Sequence, residues 1–174
     1  MMSRLIICVL LIVCSGCAKD HSKPSANLSF VSVKRERTLL YDIRYQSDVD
    51  VLNLFDKGQG KGMIAGFLTC ALGDDHDFSI EKAMQFSAVG LIESDGEPLN
   101  GGKFSYLTSA FLVETSSSRS SERHLSTTEL NNLLSNKSQI PCKLFVTAFG
   151  YKTYFSNTMN IPTADLLREI NKPE

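Results

Sequence analysis

Leu39-Leu40-Tyr41-Asp42-Ile43-Arg44-Tyr45-Gln46 alternates apolar and polar side chains from Leu40 onward. Tyr41, Ile43 and Tyr45 share one face, and Asp42, Arg44 and Gln46 share the other. Successive side chains of a strand point to opposite sides, so this period of two predicts a half-buried β-strand. The pattern returns in Lys103–Glu114, where Phe104, Tyr106, Ala110 and Leu112 oppose Leu107, Phe111 and Val113. It returns again in Ile140–Gly150, where Leu144, Val146 and Ala148 oppose Phe145, Thr147 and Phe149. Pro141 puts the start of that segment at a sheet edge or before pairing begins, because proline has no N–H for a ladder. Tyr151–Ser156 reads as its continuation beyond a bulge at Gly150. Met63–Leu72 is apolar on both faces, as a strand covered on both sides would be. Leu28–Val33 and Gln85–Glu93 complete the strand set.

Two short helices interrupt the strands. Ser126 and Glu129 form a capping box, in which each side chain satisfies a backbone donor of the other residue. Leu130, Leu133 and Leu134 then make a helical apolar stripe. Pro162-Thr163-Ala164-Asp165 opens a second helix, with Leu166, Leu167 and Ile170 turned inward. Strands and helices do not alternate regularly, which argues against a doubly wound parallel sheet. The expected class is α+β and mainly β: an antiparallel sheet or β-sandwich with two short helices.

The first residues do not belong to that fold. Arg4 is followed by the apolar run Leu5–Val13, too short to span a bilayer as a helix, and then by Cys14-Ser15-Gly16-Cys17. A positive start, an apolar stretch and small residues make a secretory signal. The ending resembles the lipobox of bacterial lipoproteins, although Cys14 stands where that family usually has Leu. The resemblance implies cleavage before Cys17, a thioether-linked diacylglyceryl group on its thiol and an amide-linked acyl chain on its new amino group. Stable anchoring needs more than one acyl chain, a condition the family meets. Ala18 replaces the Asp that marks inner-membrane retention in enteric lipoproteins, which implies an outer-membrane anchor facing the periplasm. The expected organisation is a signal peptide over 1–16, a lipidated flexible tether over 17–27, and one globular domain over 28–174.

Composition restricts the partners. Beyond residue 16 the chain holds seventeen Lys and Arg against nineteen Asp and Glu, a side-chain balance of −2. That is not the basic footprint of a nucleic-acid binder. There is no Trp, the favoured stacking residue of carbohydrate sites. With the signal removed and Cys17 acylated, Cys70 and Cys142 remain as an even pair in an oxidising compartment, which predicts a disulfide. Neither has a His or basic cluster beside it in sequence to lower its pKa as a catalytic thiol needs.

No catalytic constellation stands out. Ser is abundant, but no Gly-x-Ser-x-Gly elbow occurs. The Gly-rich Asp56–Gly62 stretch lacks Walker spacing and reads as a turn. Asp74, Asp75, His76 and Asp77 follow the Met63–Leu72 strand without the ligand spacing of a calcium loop or the paired His or Cys of a zinc site. They read as an acidic turn, and Thr115–Glu122, almost all Ser, reads as an exposed mobile loop. The expected function is binding without chemistry, with no cofactor and no metal. Asp74, Asp75, His76, Asp77, Ser116, Ser117, Ser118 and Arg119 are the candidate partner-binding residues. The layout of a lipid anchor and a small disulfide-tied domain resembles envelope immunity lipoproteins. That resemblance implies a protein that occludes a periplasm-acting toxin, such as a phospholipase effector of type VI secretion. The alternatives are a structural lipoprotein of an envelope or secretion assembly, and a carrier of lipid or another small ligand.

Overall fold

The alternating segments pair into one continuous sheet in the computed structural model, which describes residues 18–55, 63–96 and 102–173. The expected signal segment, Cys17 and the turn expected at Asp56–Gly62 lie outside the described residues. The first strands are β1 (Leu28–Arg37), β2 (Leu40–Ser47), β3 (Met63–Ala71), β4 (Phe86–Leu91) and β5 (Glu93–Ser94). Then come β6 (Phe104–Thr115), β7 (Glu122–His124) and helix α1 (Thr127–Leu134). The chain ends with β8 (Gln139–Ala148), β9 (Tyr154–Phe155), β10 (Met159–Pro162) and helix α2 (Thr163–Ile170). The main path runs β1-β2-β6-β4-β3-β8-β10, and every paired neighbour is antiparallel. β5 and β7 also pair with β6, and β9 pairs with β8.

The sheet rolls on itself, because β1 and β10, the ends of this path, come into contact. Helix α2 packs on both of them and on α1. Its buried Glu169 accepts the Arg35 N–H of β1 at 3.0 Å, and Lys172 answers the carboxylate at 2.6 Å. One edge donor that β2 does not take is thereby satisfied.

The inner face holds the residues that alternation assigns to it. Tyr41, Ile43, Tyr45, Tyr106, Ala110, Leu112, Leu144 and Val146 are all buried. Burying one Leu or Val side chain contributes about 1.5–3 kcal/mol. A one-residue slip would turn a strand's whole set outward, so the register is strongly specified. The core phenols are partnered: Tyr45 Oη lies 3.2 Å from Thr108 Oγ1, and Tyr106 Oη accepts Val51 N–H at 3.0 Å. Burial pushes the Tyr106 hydroxyl up to about 12. Cys70 and Cys142 face each other in register on β3 and β8 and form the disulfide.

Both helices match their start signals. Ser126 Oγ accepts the Glu129 N–H, and the Glu129 carboxylate accepts the Ser126 N–H at 2.9 Å. Helix α2 begins one residue after Pro162, with Leu166 and Ile170 buried and Leu167 half-buried.

Three segments differ from expectation. Residues 19–27 do not form a loose tether. Lys19 bridges Tyr151, donating to Gly150 C=O and accepting from Lys152 N–H, each at 2.9 Å. Ala26 is fully buried, and its N–H donates to Tyr154 Oη at 2.6 Å. His21 meets the rings of Phe55 and Tyr154 edge-on. The polar composition that suggested flexibility conceals one small residue, Ala26, that fits the core. The chain also reverses at Phe149–Gly150 rather than continuing through a bulge, with Gly150 at φ +79° and Tyr151 N–H on Ala148 C=O. Positive φ is a conformation glycine adopts without a Cβ clash. The Ser-rich loop is a short exposed hairpin tip, since Glu122–His124 pairs back on β6.

Candidate partner-binding face

Strand register brings the two candidate loops together. Ala71 of β3 faces Ser87 of β4, and Phe86 of β4 faces Glu114 of β6. The chain leaving β3 and the chain leaving β6 therefore emerge side by side, at the same end of the sheet. The first runs through Gly73–Asp77 and crosses back over the outer face before entering β4. The second is the Ser116–Ser121 turn.

Internal bonds shape both loops. Lys137 Nζ donates to Gly73 C=O at 2.9 Å and to Asp74 Oδ1 at 2.5 Å. Asp75 pairs with Lys82 at 2.9 Å and accepts Asp77 N–H, while Asp77 accepts Ser79 N–H. The Lys137 ammonium holds the Asp74 carboxyl below its ordinary value, and Lys82 does the same for Asp75. Backbone donation from Ser79 lowers Asp77. These carboxylates are oriented by lysines and amides, and His76 stands exposed among them. In the other loop, Ser116 C=O accepts Arg119 N–H and Ser116 Oγ accepts Ser121 N–H. Arg119 closes the turn at φ +56°, a left-handed conformation that costs a non-glycine residue about 1–2 kcal/mol. Ser117, Ser118 and Arg119 are exposed.

Between the loops lies a groove of about 400 Å³ with a mainly apolar lining. Its floor is the outer face of the sheet, including Thr69, Val89, Phe145 and Thr147. Its wall is the crossing segment, with Phe78, Ile80 and Met84. Asp77 and Arg119, one from each candidate loop, stand on its border with Lys82. Ile80 is 48% exposed, a large aliphatic side chain left open to solvent at the rim. Lys143 Nζ lies 5.6 Å from the Phe78 ring centre, within cation–π range.

Expectation from sequence missed Phe78, Ile80, Lys82 and the outward residues of β3 and β8. A signal for them existed. Phe67 and Phe145 sit on the face that faces away from the core, and their rings stack at 5.3 Å. Apolar residues on both faces of a strand require cover on both, and the 77–84 segment supplies part of it.

Other chemistry is sparse. Among the described residues no group of three or more His, Cys, Asp or Glu side chains is placed to hold a metal ion. His124 packs against Phe111 at 5.3 Å, on the far side of β6 from β4, and is not in the groove. Arg123 bridges Glu114 and Glu129. Its guanidinium, with the Ser126 amide, holds the Glu129 carboxyl down at about 2. Among the described residues no helix is long and apolar enough to cross a membrane. Comparison of the chain with protein-family models, with curated proteins and with solved structures gives no match.

Proposed function

We propose that this chain is an outer-membrane lipoprotein, anchored through Cys17, that binds another protein in the periplasm with the face just described. The specific reading is an immunity protein that neutralises a periplasm-acting toxin, such as a phospholipase effector of type VI secretion, by covering its active site. The observation that carries the binding reading is the convergence of both candidate loops on one apolar groove. Interfaces draw most of their energy from a few anchors buried in such pockets, ringed by polar groups. Here Ile80 and Phe78 offer the apolar centre, and Asp77, Lys82 and Arg119 offer the rim. The disulfide and the rolled sheet hold both loops on a fixed frame, which lowers the ordering cost of association.

The test is a titration of the purified domain into a toxin encoded beside it. Full inhibition at one equivalent is expected. Ile80→Asp should weaken binding at least tenfold without changing the melting temperature, the size of effect typical of an interface anchor. Arg119→Glu should act mainly on the association rate, as rim charges do. Undiminished toxin activity at saturating domain, or turnover of a small substrate by the domain alone, overturns the reading. The groove's apolar lining favours a second reading, a carrier of a small apolar ligand. Lipid co-purifying in stoichiometric amount, and lost in Ile80→Asp, would put that reading first.

A further inference from the structure

The opposite end of the sheet carries a different pattern. It is where β8 ends at Ala148 and turns through Phe149 and Gly150. Phe149 is 83% exposed, the most exposed large hydrophobic side chain among the described residues. A single exposed apolar residue is ordinary on a protein surface. The surroundings of this one are not. The backbone of Lys19 is hydrogen-bonded to the residues that follow Phe149, donating to Gly150 and accepting from Lys152. Cys17 is two residues before Lys19, and two residues reach at most about 7 Å. Any acyl group on Cys17 is therefore attached beside the Phe149 turn.

The attachment is short and fixed as well as near. Ala26 is buried against Tyr154, Asn157 N–H donates to Ala26 C=O at 2.9 Å, and Asn27 is tied to Asp48 through two bonds of 2.7 Å. Residues 19–27 thus add no free length between anchor and domain. Beside the turn Lys19 is exposed, and Lys152 is paired with Asp20 at 2.9 Å, so that pair adds no net charge. Further round this end, Asp48 and Asp50 are engaged by Asn27 and by Asn53.

We infer that the Phe149–Gly150 turn, with Lys19 beside it, is a membrane-contact surface that seats on the phospholipid leaflet holding the acyl anchor. Phe149 enters the headgroup boundary and Lys19 meets lipid phosphate. The domain then stands on this end, and the partner-binding loops point away from the bilayer. This inference rests on acylation of Cys17 and is independent of what the far face binds.

The chain has no Trp, so one introduced indole reports alone. Phe149→Trp and, as control, Leu39→Trp are prepared in the full acylated protein. Leu39 is 43% exposed in the turn between β1 and β2, at the other end of the strands. Both are reconstituted in phosphatidylethanolamine–phosphatidylglycerol vesicles with and without brominated acyl chains. Phe149→Trp should lose fluorescence and shift to the blue on brominated lipid, and Leu39→Trp should do neither. In the unsubstituted protein, amide exchange at 149–152 should slow on vesicle binding while that of the β1–β2 turn stays constant. Protein that carries the acyl mass and floats with vesicles, yet shows no quenching at position 149 and no slowed exchange, overturns the orientation alone. Protein without a Cys17-dependent acyl mass overturns the lipoprotein reading and this inference with it.

Discussion

Tyr154→Phe removes one oxygen atom from a side chain with no solvent exposure. That oxygen accepts Ala26 N–H at 2.6 Å and donates to Pro24 C=O at 2.9 Å. Pro24 is exposed, so water can replace the lost donor. Ala26 is fully buried, so its N–H loses its only evident partner. A buried donor left unsatisfied costs about 1–3 kcal/mol. The ring is retained, so no cavity term is added. For a domain of this size each kcal/mol lowers Tm by about 2–4 °C. The cost also has a ceiling. Once it exceeds the free energy that docks residues 19–27, the segment lifts off and the amide bonds to water. Amide exchange separates the two regimes. In the first, Tm falls and protection of 19–27 persists. In the second, the amides of Lys19, Ala26 and Lys152 lose protection while β6 and β8 keep theirs. Unchanged Tm together with unchanged protection at Ala26 would refute the account of Tyr154 as the clasp of this segment.

The remaining expectations concern the frame. Cys70 and Cys142 are 72 residues apart, and constraining a loop of that length in the unfolded chain corresponds to about 4 kcal/mol. Urea unfolding of a Cys70→Ala, Cys142→Ala variant should show a loss of that order, and a loss under about 1 kcal/mol would refute the loop-entropy account. Gly90→Ala would set a Cβ 2.3 Å from the Ser109 carbonyl oxygen, so β4 must shift from β6. Overpacking of this kind costs about 1–3 kcal/mol, and equal Tm for the two proteins would show that the strands give way freely. Glu129 lies at about 2 in the folded protein against an ordinary 4.5, chiefly through Arg123. Its contribution to the start of α1 is therefore full above about 4.5 and fades as pH falls toward 2. Carbon-detected NMR should give that low midpoint, and Arg123→Ala should raise it; an ordinary midpoint in the unsubstituted protein sinks the assignment.

Strand identity was legible because period two leaves a mark that composition cannot imitate. Tyr41, Ile43 and Tyr45 point inward together, as do Leu144, Val146 and Ala148. The capping box of Ser126 and Glu129 was legible because its chemistry is local. The failures share a different cause. The docking of residues 19–27 depends on Tyr154 and Gly150, which are distant in sequence, and Ala26 carries no periodic signal. The pattern of Asp48–Phe55 fits a strand and a helix equally, and the segment is neither. Its backbone bends so that Val51, Leu54 and Phe55 all reach the core. Composition marks the candidate loops, but their meeting follows from the register of β3, β4 and β6. No local pattern encodes that register.

The two faces inferred here constrain each other through β8. Its first residues lie near Lys137 and the Asp74 turn, and its last residue adjoins Phe149. Ten residues of strand at about 3.3 Å each separate these ends by roughly 30 Å. On the lipoprotein reading proposed above, a domain that stands on Phe149 holds the Asp74 turn at about that height above the leaflet, and the groove runs from the loops toward Phe145 and Thr147 on the outer face. A loose tether of the expected length would impose no such geometry, since the loops could then face the bilayer as readily as away from it. The docked segment removes that freedom before any partner arrives, and orientation fixed in advance lowers the cost of association. Clasp and groove are thus separable by mutation: where Tyr154→Phe undocks residues 19–27, it should leave affinity in free solution unchanged and weaken capture only for the acylated protein on a membrane. Ile80→Asp should weaken both alike. Equal effects of Tyr154→Phe in solution and on vesicles would mean that the segment supports the binding face directly, and the division of the domain into two working ends would fail.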